Sequence, residues 1–271
     1  MAPWTAHTLA LLTGCEGWMG RHTARAAPAD VAGRATSPLH YALTRLLAWL
    51  AVRALFRVRL EGRDHLPTGP YVLCFNHQSW ADPFVLLAAL PRRPRVTFFG
   101  PREVDLRVGR RNRLIAWTGM ALPYRPDKTD LLGATRRVQR VLKAGGVLAI
   151  AGEGRIHAGE AVLLPLDDGA AFFAQHAGVP LVPVAVNGTS WLAFGRRLRL
   201  RVGTPIPTAG RTTRDDLHGL TEATWQALHE LCAGYPDPAP PAAGSLWYRL
   251  TEAFNEWPEG ARPPVAAGTN D

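Results

Sequence analysis

Tyr71-Val-Leu-Cys-Phe-Asn-His-Gln-Ser-Trp-Ala-Asp-Pro83 is the stretch from which the rest of the chain can be read. Tyr71 to Phe75 is a short apolar run with aromatic and β-branched residues, which predicts a buried strand. Asn76 and His77 follow at once. Asp82-Pro83 then opens a second apolar run, Phe84 to Leu90, closed by Pro91. Aspartate as N-cap with proline at the first helical position predicts a helix start. His77 therefore sits on a tight turn between a strand and a helix mouth, with Asp82 five residues on. On a continuous helix that spacing would place the two side chains roughly 140° apart. On a turn closing at an N-cap they can meet. A histidine held by a carboxylate has a fixed tautomer and a stabilised imidazolium, as a general base requires. The plainer alternative is a solvated loop histidine beside an ordinary capping residue.

Outward from this stretch, strands and helices alternate. Arg95 to Phe99, Met120 to Tyr124, Val147 to Ala151 and Leu181 to Val186 read as strands. Asn112 to Trp117, Leu131 to Lys143 (capped by Asp130, stopped by Gly145-Gly146), Gly169 to Ala177 and Asp215 to Cys232 read as helices. Arg197 to Val202 alternates arginine with apolar residues and predicts an exposed or edge strand. The alternation implies an α/β domain with a mixed, largely parallel sheet flanked by helices. In such sheets ligands bind beyond the carboxyl ends of the strands. His77, Arg125 and Glu153-Gly-Arg155 each follow a predicted strand, so parallel strands would bring them to one rim.

Leu39 to Val58 is helix-forming throughout, without Gly or Pro. Arg45, Arg53 and Arg57 fall within an arc of roughly 120°, which Leu46, Trp49 and Phe56 share. An arginine-edged, tryptophan-bearing apolar helix suits shallow burial in a membrane interface. The alternative is a helix packed on the domain with its arginines in water. The chain divides into a poorly ordered tail over 1–37, this amphipathic membrane-associated helix over 38–60, an α/β domain over 61–235, and a Pro/Ala linker, short helix and tail over 236–271.

A formal charge of +9, with arginine far outnumbering lysine, suits a phosphate-bearing partner such as an anionic membrane surface, nucleic acid or a phosphorylated substrate. The basic segment Pro101 to Arg113 could face lipid headgroups or an acidic carrier, or be a solvated face. Cys15, Cys74 and Cys232 are odd in number and widely spaced, so neither a disulfide framework nor a metal-ligand spacing is expected. No run of 18 uncharged apolar residues predicts a membrane span, and the first 20 residues make a poor signal peptide. A serine hydrolase would need a Gly-x-Ser-x-Gly elbow, which is absent. The aromatic-interleaved basic stretches of a nucleic-acid module are also lacking, so no nucleic-acid partner is expected. A non-catalytic basic membrane-binding module is the competing class.

Four blocks, taken in order, narrow the choice. They are Asn76-His-Gln-Ser-Trp-Ala-Asp82, Gly119-Met-Ala-Leu-Pro-Tyr-Arg125, Glu153-Gly-Arg155 and Val179-Pro-Leu-Val-Pro-Val184. The set resembles the glycerolipid acyltransferase family, that of the 1-acylglycerol-3-phosphate (lysophosphatidic acid) acyltransferases, over about residues 39 to 205. The resemblance makes 61–235 an acyltransferase domain. It implies transfer of an acyl group from acyl-CoA or an acyl-carrier protein to a lysophospholipid hydroxyl, most simply 1-acylglycerol 3-phosphate, giving phosphatidic acid. Glycerol 3-phosphate, another lysophospholipid or an aminolipid are the alternative acceptors. The implied roles are His77 as base, Asp82 as its orienting partner, Arg125 on the acceptor phosphate, and Glu153 and Gly154 shaping the acceptor site. Arg155 would be a second phosphate ligand, and Pro183 would lie near the donor path. Backbone N–H groups at the helix mouth after Asp82 are candidate oxyanion donors. No metal and no cofactor beyond the thioester co-substrate are implied. The implied location is the cytoplasmic face of the cell membrane, peripheral or monotopic. Two departures stand out. The family's Pro-Glu-Gly-Thr/Ser-Arg reads Gly152-Glu-Gly-Arg-Ile156 here, and Leu122-Pro123 replaces an aromatic before Arg125.

Overall fold

The structure is a computed structural model that describes residues 37–102, 110–124, 131–157 and 159–255. The tail over 1–36, Arg125, the Asp130 cap, most of the basic segment before Arg110 and the last 16 residues lie outside that description.

The first described element is α1, Pro38–Leu55, started by Ser37, whose Oγ accepts the His40 N–H at 3.1 Å. Its buried positions are Tyr41, Thr44, Ala48 and Val52, one stripe at helical spacing. The stripe carries small and polar residues. The leucines face outward, with Leu39, Leu43, Leu46, Leu47, Trp49 and Leu50 all exposed. The helix expected to run to residue 60 ends at Leu55 instead. Phe56 is extended at φ −134° and is pinned in the core against Trp247, ring centroids 5.7 Å apart. From there Arg57–Glu61 becomes strand β1. The alternation Arg-Val-Arg-Leu-Glu suits a half-buried strand, and the sheet decides between it and the helix period.

The remaining elements are β2 (Tyr71–Phe75), α2 (Asp82–Ala89), β3 (Val96–Arg102), α3 (Arg110–Thr118), β4 (Ala121–Tyr124), α4 (Leu131–Lys143), β5 (Val147–Ala151), α5 (Gly169–Ala177), β6 (Leu181–Asn187), β7 (Arg197–Val202), α6 (Arg214–Cys232) and α7 (Leu246–Asn255). The sheet order is β1-β7-β6-β2-β5-β3-β4. All neighbours are parallel except β6 and β7. Five strands thus run one way and the β1–β7 pair runs the other. β7, expected as an exposed or edge strand, is second from the edge, because β1 pairs along its open side in the register Arg57↔Arg197 to Glu61↔Arg201, and its arginine positions are exposed to half-buried.

β2 lies at the centre, every residue buried. Its Tyr71, Leu73 and Phe75 join the core under α1 and α2, and Val72 and Cys74 join the core under α4, α5 and α6. Burial on both faces explains its continuous apolar run. Because β2, β5 and β4 are parallel, their C-terminal ends share one rim, where His77, Glu153 and the last described residue before Arg125 emerge.

The start of the β1–β2 connection is locked to β7. Gly62 adopts φ +67°, His65 Nδ1 meets Val202 O at 2.9 Å, and a Cβ on residue 62 would press on the same carbonyl. Gly62→Ala is therefore expected to lower stability by about 1–3 kcal/mol from strain alone, before the clash is counted. Urea unfolding of the variant checks this; a midpoint equal to wild type would show that β1 is not held at this point.

Candidate functional site

The turn after β2 is built around one carboxylate. Asp82 is fully buried. Its Oδ2 accepts from His77 Nδ1 at 2.8 Å, Gln78 N at 2.8 Å and Ser79 N at 2.9 Å. Its Oδ1 accepts from Thr189 Oγ1 at 2.5 Å. Both oxygens are thus committed to donors, as a buried charge demands. The expected capping role is not what this side chain does. Ala81 occupies the N-cap, without a side-chain hydrogen bond, and Asp82 is the first helical residue. The carboxylate turns back to gather the preceding loop instead of closing the helix. Pro83 still stands in the first turn, where its missing N–H costs nothing.

Since an ionised carboxylate only accepts, Nδ1 of His77 carries the proton in this bond. That leaves Nε2 as the lone-pair nitrogen, and no described residue bonds it. The imidazole is about one-fifth exposed and packs edge-on against Phe75 at 5.9 Å between centroids. The pair is thus a partly open imidazole on a wholly buried acceptor.

The neighbouring strand fixes the histidine's main chain. Glu153, buried just past β5, accepts the His77 N–H through Oε2 at 2.7 Å. Its Oε1 accepts from Leu164 N at 2.9 Å and His157 Nε2 at 2.6 Å. The Glu153 carboxylate therefore turns inward and acts through the backbone of His77. Gly154 takes φ +65°, where a Cβ would come 2.8 Å from Asp167 Oδ2. Arg155 is exposed beside them. The glycine where the family has proline also has a reason. Gly152 N–H donates to Phe75 O at 2.9 Å, a bond proline cannot make, and a Cβ there would meet Cys74 Sγ at 2.7 Å and Leu166 Cδ2 at 2.8 Å.

Three further residues complete the support. Asn76 bridges to β6 by both ends of its amide, Nδ2 to Val186 O at 2.9 Å and Val186 N to Oδ1 at 2.7 Å. Glu160, fully buried, accepts Gly188 N, Ser190 N and Ser190 Oγ at 2.6–2.9 Å, and so holds the loop that presents Thr189 to Asp82. Burial pushes the Glu160 carboxyl upward in pKa, opposed by those bonds. Asn255 of α7 accepts Trp80 N–H at 3.0 Å and Ser79 Oγ–H at 3.2 Å, so α7 also reaches the turn. Of these the sequence pattern carried only Asn76, at the head of the first block; the other local cue was a polar Asn187-Gly-Thr-Ser190 run immediately after a buried strand.

One expectation does not hold. Helix-mouth N–H groups are not free to serve an oxyanion. Asp82 N bonds Ser79 O, and Phe84 N and Val85 N both bond Ala81 O. Ala81 N bonds Ser79 Oγ. Pro183 lies inside β6 opposite Cys74, below the rim. Arg125 follows β4 directly but lies outside the described residues. Among the described residues no group of three or more His, Cys, Asp or Glu side chains is placed to hold a metal ion.

Thr189→Val would leave Asp82 Oδ1 buried without its donor, at a cost of about 1–3 kcal/mol. Thr189→Ser should recover most of that loss. Urea unfolding of the two variants tests this, and equal stability of Thr189→Val and wild type would remove Thr189 from the support.

A family model for Acyltransferase matches residues 57–187. The chain is 27% identical over 185 residues to "1-acyl-sn-glycerol-3-phosphate acyltransferase" of Saccharomyces cerevisiae, covering 62% of this chain and 60% of that one. It is 29% identical over 188 residues to "1-acyl-sn-glycerol-3-phosphate acyltransferase alpha" of Homo sapiens, covering 65% and 64% respectively. The chain thus spans about three-fifths of the length of these curated relatives. A crystal structure of the "1-acyl-sn-glycerophosphate (LPA) acyltransferase, PlsC" from Thermotoga maritima shares the fold. Its TM-score is 0.55 at 18% identity, over 73% of this chain and 81% of that one.

Proposed function

We propose that the chain is a glycerolipid acyltransferase, as its likeness to the Acyltransferase model over 57–187 and to the curated relatives supports, and that it moves a fatty acyl group from a thioester to the hydroxyl of a lysophospholipid. The acceptor is 1-acylglycerol 3-phosphate and the product phosphatidic acid. The observation that carries this reading is the His77 Nδ1–Asp82 Oδ2 bond of 2.8 Å at the mouth of a parallel sheet. Asp82 holds the imidazole with its Nε2 lone pair outward. Nε2 takes the proton of the acceptor hydroxyl as its oxygen attacks the thioester carbonyl. The tetrahedral intermediate collapses with loss of the C–S bond, and the imidazolium returns its proton to the departing thiolate. Positioning does most of this work, because an alcohol is a far weaker acid than imidazolium. Glu153 serves the same end by clamping the main chain of His77.

Arg125 and Arg155 are the phosphate ligands of this proposal, each able to grip a phosphate through paired N–H donors. With the helix-mouth amides already bonded, the oxyanion donors belong elsewhere than the His77–Val85 turn.

The enzyme works at a lipid surface, at the cytoplasmic face of the cell membrane. No described helix is long and apolar enough to cross a membrane. The outward face of α1, with Leu43, Leu47 and Leu50 exposed, supports a helix lying in the interface. Its buried stripe is the domain contact, so the leucines are left for lipid. Replacing Leu43, Leu47 and Leu50 together by serine should abolish co-flotation with anionic vesicles while leaving the circular dichroism spectrum unchanged; undiminished flotation would remove α1 as the membrane contact.

His77→Ala should lower acyl transfer by about 10²–10⁴-fold with the fold intact. The assay is purified protein in mixed micelles with labelled acyl thioester and a panel of lysolipid acceptors. Full thioester-dependent acylation by the variant would overturn the proposed base.

A further inference from the structure

The last described helix, α7, turns one face to the domain at helical spacing. Trp247 meets Phe56 with ring centroids 5.7 Å apart, Tyr248 stacks on Trp191 at 5.4 Å, and Phe254 covers Trp80 at 4.7 Å. The helix thus straps together the end of α1, the loop after β6 and the turn after β2. The buried positions of that face are Thr251 and Asn255, four residues apart and both polar.

A buried amide is costlier than a leucine of similar size unless its polar atoms are used. Asn255 uses Oδ1 on the turn, accepting Trp80 N–H at 3.0 Å and Ser79 Oγ–H at 3.2 Å. Ser79 is itself fully buried, and its Oγ accepts Ala81 N–H at 3.3 Å. Its main-chain N–H goes to Asp82 Oδ2, the oxygen that also holds His77 Nδ1. Directly or through Ser79, one oxygen of α7 therefore fixes Ser79, Trp80 and Ala81, three of the four residues between His77 and Asp82. α7 lies beyond residues 57–187, the span matched to the Acyltransferase model, so this anchor is supplied from a separate part of the chain.

We propose that Asn255 is a positioning residue for acyl transfer, holding the His77–Asp82 turn in its reacting geometry from α7. This rests on the acyl-transfer reading and adds to it a dependence on a helix outside the matched span. Asn255 acts through Ser79 and Trp80, not on the reacting atoms. Without its oxygen two donors of the turn lose their acceptor, and the turn must shift to find others. A misplacement of about 1 Å at a reacting group can cost about a hundredfold in rate, so a small shift suffices.

The test uses the full chain in mixed micelles with a labelled acyl thioester and a lysolipid acceptor. Asn255→Leu keeps the volume and removes the acceptor, whereas Asn255→Asp keeps the acceptor. In Asn255→Leu kcat should fall by about tenfold or more with both KM values within about twofold of wild type, and Asn255→Asp should recover most of the loss. Because Asn255 acts in part through Ser79, the losses of Ser79→Ala and Asn255→Leu should multiply to more than that of the double variant. Amide hydrogen exchange, followed by NMR, reads the turn without turnover. The Gln78 and Ser79 amides bond Asp82, not Asn255. Both should exchange about tenfold faster or more in Asn255→Leu. Wild-type kcat in Asn255→Leu, a rise in KM alone, an equal loss in a folded Asn255→Asp or fully multiplicative losses would each overturn the proposal. Unchanged exchange at the two amides would do the same. If wild type transfers no acyl group, the acyl-transfer reading fails, and the exchange of those amides still decides whether Asn255 holds the turn.

Discussion

A buried carboxylate must be neutralised by its surroundings, and that requirement organises this protein. Asp82 meets it with an imidazole, two main-chain amides and a hydroxyl. Each donor comes with a structural obligation. The amides of Gln78 and Ser79 bend the chain after the central strand. The hydroxyl of Thr189 requires the loop after β6, which in turn requires the buried carboxylate of Glu160. The imidazole is then the partner with one side open. Fold stability and a reactive geometry thus come from one set of bonds, and a change that relaxes the first will disorder the second.

Much of the α/β frame was legible because it is local. Tyr71–Phe75 and Val147–Ala151 are continuous apolar runs bounded by polar turns, and α4 repeats Ala134, Val138 and Leu142 on one face. The His77–Asp82 contact was legible for the same reason, since only a turn separates the two residues. What escaped was non-local. Arg57–Glu61 satisfies a strand period, yet it abuts eighteen helical residues, and only pairing with β7 decides its state. Thr189 lies 107 residues from Asp82, with no pattern linking them. Asp82-Pro83 read as a cap because that dipeptide usually is one. Here the demand of the preceding turn outweighed the helix end, whose own amides found Ala81 O.

In Gly152-Glu-Gly-Arg-Ile156 the first glycine supplies a bond to β2 and makes room for Cys74 and Leu166, and Glu153 holds the main chain of His77. The thiol of Cys74 is deeply buried and its pKa is driven upward by desolvation and by Glu153, so it is an inert filler at this junction. Gly152 and Cys74 thus belong to the packing beneath the site, and Glu153 to the support of the histidine backbone above it.

The pairing of β1 with β7 also dictates an order of events during synthesis. Arg57 emerges from the ribosome 140 residues before its partner Arg197. Until then β1 has no strand neighbour, whereas α1 meets its partners sooner: Arg45 bonds Leu90 O, Tyr41 bonds Val96 N and His40 bonds Trp117 O. The last strand added closes the first one into the sheet, so a chain truncated before β7 leaves β1 without its strand partner.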